Sequence, residues 1–189
     1  MRIVLATPLY PPDIASPASY IKELAKRLAG KHEVVIVAYA HIPEEVPGVH
    51  IIAVDKRRPL PVRLVAFVFA LAKAARSADA IFAENGASVE LPAGIVARFA
   101  RAPLILHESD AAARQYAASH WLYGFIGRFA RNAARAAFAD TPLPKPEILP
   151  LEARPEVELA AYEESWRAHL AHVESLLASV SERRNSRHA

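Results

Sequence analysis

Three features of the sequence predict an α/β fold, a single doubly wound parallel sheet with helices on both faces. Short uncharged apolar runs alternate with longer amphipathic stretches through most of the chain. The first run ends in a proline-rich loop, and a helix follows that loop directly. Strands and helices in alternation pack as a parallel sheet covered on both sides.

Ile3-Val4-Leu5-Ala6 is short, uncharged and closed by Thr7-Pro8-Leu9-Tyr10-Pro11-Pro12-Asp13, as a buried parallel strand should be. Over residues 20–28, Ile21, Leu24, Ala25 and Leu28 fall on one helical face, with Lys22, Glu23, Lys26 and Arg27 on the other. Gly30 stops that helix. Residues 32–39 and 49–54 read as the second and third strands, separated by a loop bounded by Pro43 and Pro47. Residues 59–76 read as a helix apolar almost all round, which must be deeply packed or lie against something apolar. Residues 79–83 form the fourth strand and residues 103–107 the fifth. Between them residues 89–100 form a helix with Pro92 in its first turn, where proline is tolerated. Ligands of such sheets sit at the carboxyl ends of the strands, where the first loop lies.

Beyond the fifth strand the pattern changes. Residues 119–137 read as an amphipathic helix with Trp121, Leu122, Phe125, Ile126 and Phe129 on one side and Arg128, Arg131 and Arg135 on the other. Residues 137–140 could add a short sixth strand. Pro142, Pro144, Pro146, Pro150 and Pro155 make a stiff extended connector. A last helix follows, with Glu156 and Glu158 at its start and Arg183 and Arg184 at its end, in keeping with the helix dipole. Leu159, Tyr162, Trp166, Val173, Leu176 and Val180 give it a seven-residue repeat, interrupted by His169. The chain thus divides into an α/β domain at 1–141, a proline-rich linker at 142–155 and a helix at 156–185. That helix packs back on the domain or self-associates as a homodimer. Residues 186–189 are expected to fray.

The 189 residues suffice for one well-buried domain, and 53% hydrophobic residues exclude global disorder. The absence of cysteine excludes disulfides and cysteine-ligated metals, and it suits a reducing cytosol. No signal-peptide plan is visible, because Pro8 breaks the first apolar run and an acid follows. No uncharged run reaches the ~18–20 residues of a membrane span, so a cytoplasmic chain, soluble or peripheral at the inner membrane face, is expected. The +3 net charge does not call for nucleic acid, and the basic residues are not interleaved with aromatic strand positions as base stacking requires. Lys56-Arg57-Arg58 and the three arginines of residues 119–137 are either solvated faces or a docking face for an anionic membrane surface. Core packing against the sheet would explain the aromatics of residues 119–137 equally well.

The segment Arg2 to Leu28, centred on Thr7-Pro8-Leu9-Tyr10-Pro11-Pro12-Asp13-Ile14, resembles the N-terminal, acceptor-side domain of retaining glycosyltransferases of family 4. The likeness continues in order through residues 32–39, 49–54, 79–85 and 103–110 to about Pro142. The resemblance implies the GT-B architecture, two Rossmann-like domains facing across a cleft, of which this chain carries the first. The second, nucleotide-sugar-binding domain would need on the order of a hundred further residues. Only a linker and one helix remain, and residues 162–177 look like the tail helix that crosses back onto the N-terminal domain in such enzymes. After Asp13-Ile14 the family usually places two glycines that let backbone amides approach the donor diphosphate; here Ala15-Ser16 stands instead.

By that resemblance His107 and Asp110, just past the fifth strand, are candidate catalytic residues that could polarise an acceptor hydroxyl. The alternative is a loop histidine and a helix N-cap at Ser109 or Asp110. Glu84 and Asn85 face the same crevice, although Asn85-Gly86 is also a turn signal. Asp13, Ala15, Ser16 and Ser19 are candidate substrate-binding residues around the first helix N-terminus, where Ser16 could equally be a cap ahead of Pro17. A hydrolase triad of Ser109, His107 and Asp110 lacks the elbow motif. Glu156 and Glu164 match the spacing of the family's donor-binding glutamates without their glycine-rich surroundings. His169 and His172 lack a third metal ligand.

Two functions follow as expectations. The chain is the acceptor half of a split sugar-transfer system whose nucleotide-sugar donor is bound by a separate donor-domain polypeptide, with no cofactor of its own. Alternatively it is a non-catalytic glycan- or lipid-binding or assembly module. Alone, the chain is expected to be an inactive transferase.

Overall fold

A computed structural model describes residues 1–13, 16–100, 102–108, 115, 119–138 and 156–185. Six strands form one parallel sheet: β1 (Arg2–Thr7), β2 (Glu33–Tyr39), β3 (Val49–Val54), β4 (Ala80–Glu84), β5 (Leu104–His107) and β6 (Ala136–Phe138). Their order across the sheet is β3-β2-β1-β4-β5-β6, so the chain reverses its direction of travel between β1 and β4. The helices are α1 (Ser16–Leu28), α2 (Leu60–Ala75), α3 (Ala87–Phe99), α4 (Trp121–Ala133) and α5 (Glu156–Asn185). The architecture is the Rossmann-like α/β fold expected from the alternating pattern. The proline-rich segment 142–155 and residues 186–189 lie outside the described residues.

Boundaries shift where local chemistry meets pairing. The first helix starts at Ser16 rather than residue 20, with Pro17 at a first-turn position that needs no amide donor. The third starts at Ala87 because Gly86, at φ 142°, turns the chain sharply out of β4. The fourth ends at Ala133 rather than residue 137. Ala134 is extended, its amide still reaching the carbonyls of Ala130 and Arg131, and the next residues leave to pair with β5. Sheet pairing overrides helical periodicity there.

Side chains alternate across the sheet, as strand geometry requires. Val4, Ala6, Val35, Val37, Ile81, Ala83, Leu104 and Leu106 enter one core with Phe67 and Leu71 of α2, Val89 and Val96 of α3 and Ala130 of α4. Ile3, Leu5, Val34, Ile36, Phe82 and Ile105 enter the other, against α1 and α5. Between α3 and α4 the helices approach closely. A Cβ on Gly94 would lie 2.8 Å from a Phe129 ring carbon and 3.2 Å from the Ala130 Cα.

The thirty-residue α5 is ~45 Å long at 1.5 Å per residue, enough to cross the whole sheet. Trp166, His169, Val173, Leu177 and Val180 are its buried positions. Leu177 rather than Leu176 occupies the seam. Each apolar side chain so buried contributes about 1.5–3 kcal/mol before ordering costs. Polar contacts flank the seam. The Arg27 guanidinium holds Glu163 through two hydrogen bonds of 2.7 and 2.8 Å and lies 4.9 Å above the Trp166 ring. It also holds the Glu163 carboxyl below its ordinary pKa, and Lys31 pairs with Glu174 at 3.1 Å. Among the described residues, no helix is long and apolar enough to cross a membrane.

The Trp166 ring stacks on Tyr20 at 5.8 Å, yet its indole nitrogen is buried without a hydrogen-bond partner among the described residues. Trp166→Ala should therefore cost about 3–5 kcal/mol in urea denaturation and strip α5 amides of exchange protection. Trp166→Phe, which removes the unpaired donor and keeps most of the ring, should cost less than about 1.5 kcal/mol. Equal losses for the two variants would mean that ring packing does not hold this helix.

Candidate functional site

The chain reversal between β1 and β4 places a crevice at the carboxyl ends of those strands. Thr7, Glu84 and His107 are the last residues of β1, β4 and β5, and the register sets Glu84 beside His107. Strand alternation turns all three toward the face that α1 and α5 cover. The Thr7 Oγ1 lies 2.8 Å from Glu84 Oε2 and 2.8 Å from the Leu9 carbonyl, and accepts the Leu9 amide at 3.3 Å. Glu84 Oε1 is 4.0 Å from His107 Nδ1. The Asn85 amide donates to the His107 carbonyl at 2.9 Å, extending the ladder one residue past the strand.

None of this cluster is open to solvent. His107 is 0% exposed and Glu84 1%. The imidazole stacks on Phe138 at 4.7 Å and is walled by Tyr20 at 5.3 Å and Phe82 at 5.4 Å. Tyr20 in turn shares a 2.7 Å hydrogen bond with His169 Nε2 of α5. His107 thus lies within a layer of rings roofed by the C-terminal helix. His169 is part of that layer, and among the described residues no metal-binding group of three His, Cys, Asp or Glu side chains exists.

The open part of the crevice is a depression of about 360 Å³ lined by Pro11, Pro12, Asp13, Ser19, Lys22, Glu23 and Glu44. Its wall is built by the loop between β2 and β3. The Glu44 amide donates to the Pro11 carbonyl at 3.2 Å, and the Tyr10 hydroxyl donates to the Glu44 carbonyl at 3.0 Å. Lys22 pairs with the Glu44 carboxylate, and Lys56 with Asp13 Oδ1. The second carboxylate oxygen of Asp13 has no hydrogen-bond donor among the described residues.

Of the residues predicted from sequence, Asp13 and Ser19 come together at the depression. Glu84, Asn85 and His107 come together behind it, buried. Ala15 and Asp110 lie outside the described residues, as does the side chain of Ser16. Thr7, Tyr10, Lys22 and Glu44 were not singled out. Thr7 could have been, as the polar end of the first strand. Glu44 could not, because its place depends on a backbone bond across the crevice. On the far side of β5, Glu108 pairs with Arg131, while burial first and Glu108 second push the Glu90 carboxyl up.

Two measurements probe this geometry. Thr7→Val removes a hydroxyl from a fully buried contact with a carboxylate and should cost about 1–3 kcal/mol in denaturant unfolding. An unchanged midpoint would show that the contact is idle. Burial, and Glu44 secondarily, push the Tyr10 phenol up to about 12; burial also pushes Tyr39 to about 12 against the opposing effect of Arg63. The folded protein keeps these protons where the unfolded chain, with phenols near 10, has released them. Stability is therefore full below about pH 10 and falls as pH rises toward 12, and Tyr10→Phe with Tyr39→Phe should flatten that fall.

Residues 17–143 match the family model described as Glycosyl transferase 4-like domain. Among solved structures, HepE of Anabaena in complex with UDP and glucose is similar at a TM-score of 0.51 and 19% identity, over 72% of this chain and 37% of HepE. A UDP-N-acetylglucosamine 2-epimerase is similar at a TM-score of 0.50 and 12% identity, over 74% of this chain and 42% of the epimerase. The chain thus spans about two fifths of the length of these structures, and at such identities they share its fold. Among curated proteins none matches the sequence. With the family model covering most of its sheet and four of its helices, the chain belongs to the glycosyl transferase 4-like domain family.

Proposed function

We propose that this domain is the acceptor side of a sugar-transfer system in which a separate polypeptide holds the nucleotide-sugar donor across the crevice. Family membership supports sugar transfer as the reaction class. The observation that carries the acceptor role is the depression beside the α1 N-terminus, whose volume falls in the range of small-ligand sites. Asp13, whose partly exposed side chain lines the depression and pairs with Lys56 through Oδ1, offers a carboxylate that a sugar hydroxyl could meet at its exposed edge, Oδ2 being buried. Ser19 and Lys22 add polar groups at the rim, and Pro11 and Pro12 form an apolar wall for a ring face. Such a site works by position: it holds the acceptor hydroxyl toward a donor presented from outside.

A second reading, a non-catalytic glycan-binding module, is favoured by one observation. His107 and Glu84 are sealed beneath α5, where no acceptor could touch them.

Calorimetry and transfer assays with UDP-glucose separate the readings. The chain alone should give neither binding heat nor turnover. Transfer should appear on adding a separately produced donor domain, and Asp13→Asn should lower it about tenfold to a hundredfold, as loss of a hydrogen bond to a charged group does. Glycan binding that perturbs the Ser19 and Lys22 amides, with no transfer under any partner, would leave the binding module. Turnover of UDP-glucose by the chain alone would sink both.

A further inference from the structure

The outer surface of the helical layer opposite α5 is unusually apolar for solvent-facing helices. On α2, Leu60, Val62, Val65 and Phe69 are 50–71% exposed. On α4, Trp121 is 83% exposed, with Leu122 and Phe125 at 48% and 56%. Core packing accounts for Ile126, buried beneath α4, and for Phe129, which lies against Gly94, but not for these three. Val62, Val65 and Phe69 recur at helical spacing, so they form one stripe pointing away from the sheet.

Basic residues outnumber acids around this surface, where Asp55 pairs with Arg57 and Glu108 with Arg131. Residues 56–76 contain Lys56, Arg57, Arg58, Arg63, Lys73 and Arg76 and no acid; residues 119–138 contain Arg128, Arg131 and Arg135 and no acid. Among the described residues, Arg58, Lys73, Arg76 and Arg128 have no ion-pair partner. An apolar stripe bordered by uncompensated cations complements a surface that is apolar within and anionic at its rim. That is the profile of an anionic bilayer. A protein partner would need a matching apolar patch ringed by carboxylates. A second copy would bring this same basic surface against itself.

Topology fixes where the surface lies. The crossover helices α2 and α4 run antiparallel to the strands they connect, so their first turns stand at the carboxyl edge of the sheet. Leu60, Val62, Trp121, Leu122 and Phe125 lie in those opening turns. The Lys56 ammonium, one step from the basic cluster, is paired with Asp13 of the depression.

We propose that the outer faces of α2 and α4 dock the domain onto an anionic membrane surface. Arg58 and Arg128, which hold no ion pair among the described residues, meet headgroup phosphates, and the exposed apolar side chains enter the acyl boundary. Because the opening turns of α2 and α4 stand at the same carboxyl edge of the sheet as the depression, docking through them brings that edge close to the lipid interface. The acceptor class this orientation suits is an amphiphile, a sugar or hydroxyl carried on a lipid anchor. The docking itself does not depend on the sugar-transfer reading and would persist if that reading failed.

The protein carries its own probe, because Trp121 is exposed while Trp166 is fully buried. The full chain should co-sediment with phosphatidylcholine vesicles containing phosphatidylglycerol, more weakly as salt is raised, and not with phosphatidylcholine alone. Binding should shift the tryptophan emission to the blue, and Trp121→Phe should abolish that shift. Phe69→Asp with Phe125→Asp changes two exposed positions, so the fold should persist by circular dichroism while binding falls about tenfold or more. The proposal is overturned by absence of binding at low salt, or by binding that the aspartate pair leaves intact. It is equally overturned if light scattering finds a dimer that the aspartate pair dissolves, since a second copy would then cover the face.

Discussion

The handedness of the crossovers governs this molecule. A parallel strand–helix–strand connection winds right-handed, so once the chain moves from β3 back past β1 to β4, every later crossover helix falls on one face. That face receives α2, α3 and α4. The loop between β2 and β3 contains no helix, which leaves α1, among the described residues, as the one crossover helix on the other face. One helix cannot cover six strands. Phe82, Ile105, His107 and Phe138 would stand in water without α5, which supplies the missing half of the layer. The C-terminal helix is therefore a structural requirement of the sheet, held by Trp166, Val173, Leu177 and Val180 and flanked by Arg27–Glu163 and Lys31–Glu174.

The same requirement explains how the crevice divides. Thr7, Glu84 and His107 end three neighbouring strands, and residues two apart along each strand share a face. Ile3 and Leu5 precede Thr7, Phe82 precedes Glu84 and Ile105 precedes His107, all in the core beneath α1 and α5. The polar ends continue the apolar stripes below them, so the helix that buries the stripes buries them too. Polar groups in such a place need partners: Thr7 meets Glu84 Oε2 at 2.8 Å, and Glu84 Oε1 approaches His107 Nδ1 to 4.0 Å. Asp13 and Ser19 escape because they belong to the loop and first helix, beyond the strand ends.

Most of the sheet was legible in the sequence. Buried parallel strands are short, uncharged and bounded by turn residues, and β2 and β3 appear almost residue for residue where those signals stand. Helix ends were less legible, since periodicity continues past Ala133 while pairing of 136–138 with β5 does not allow the helix to. His169 shows what local reading misses. It interrupts the heptad of α5, and in isolation it marks a weak point in the seam. In the fold its Nε2 meets the Tyr20 hydroxyl across the helix pair, a contact between residues 149 apart in the chain. The burial of His107 was hidden for the same reason, as it depends on where a helix beyond residue 155 comes to rest.

The distribution of charge separates the two helical layers as sharply as topology does. Where α1 meets α5, cations and carboxylates meet in pairs: Arg27 with Glu23 and Glu163, Lys31 with Glu174. The layer of α2 and α4 carries cations, exposed apolar side chains and, on those two helices, no carboxylate at all. A folded chain gains nothing internally from leaving Phe69 or Trp121 in water; their exposure is neutral to the core and unfavourable to solubility. Lys56 joins the two themes, because it belongs to the basic cluster by sequence and to the depression by its pairing with Asp13. Any anion that drew Lys56 away would leave Asp13 Oδ1 without its ammonium partner. The basic cluster and the polar depression therefore share one ammonium group.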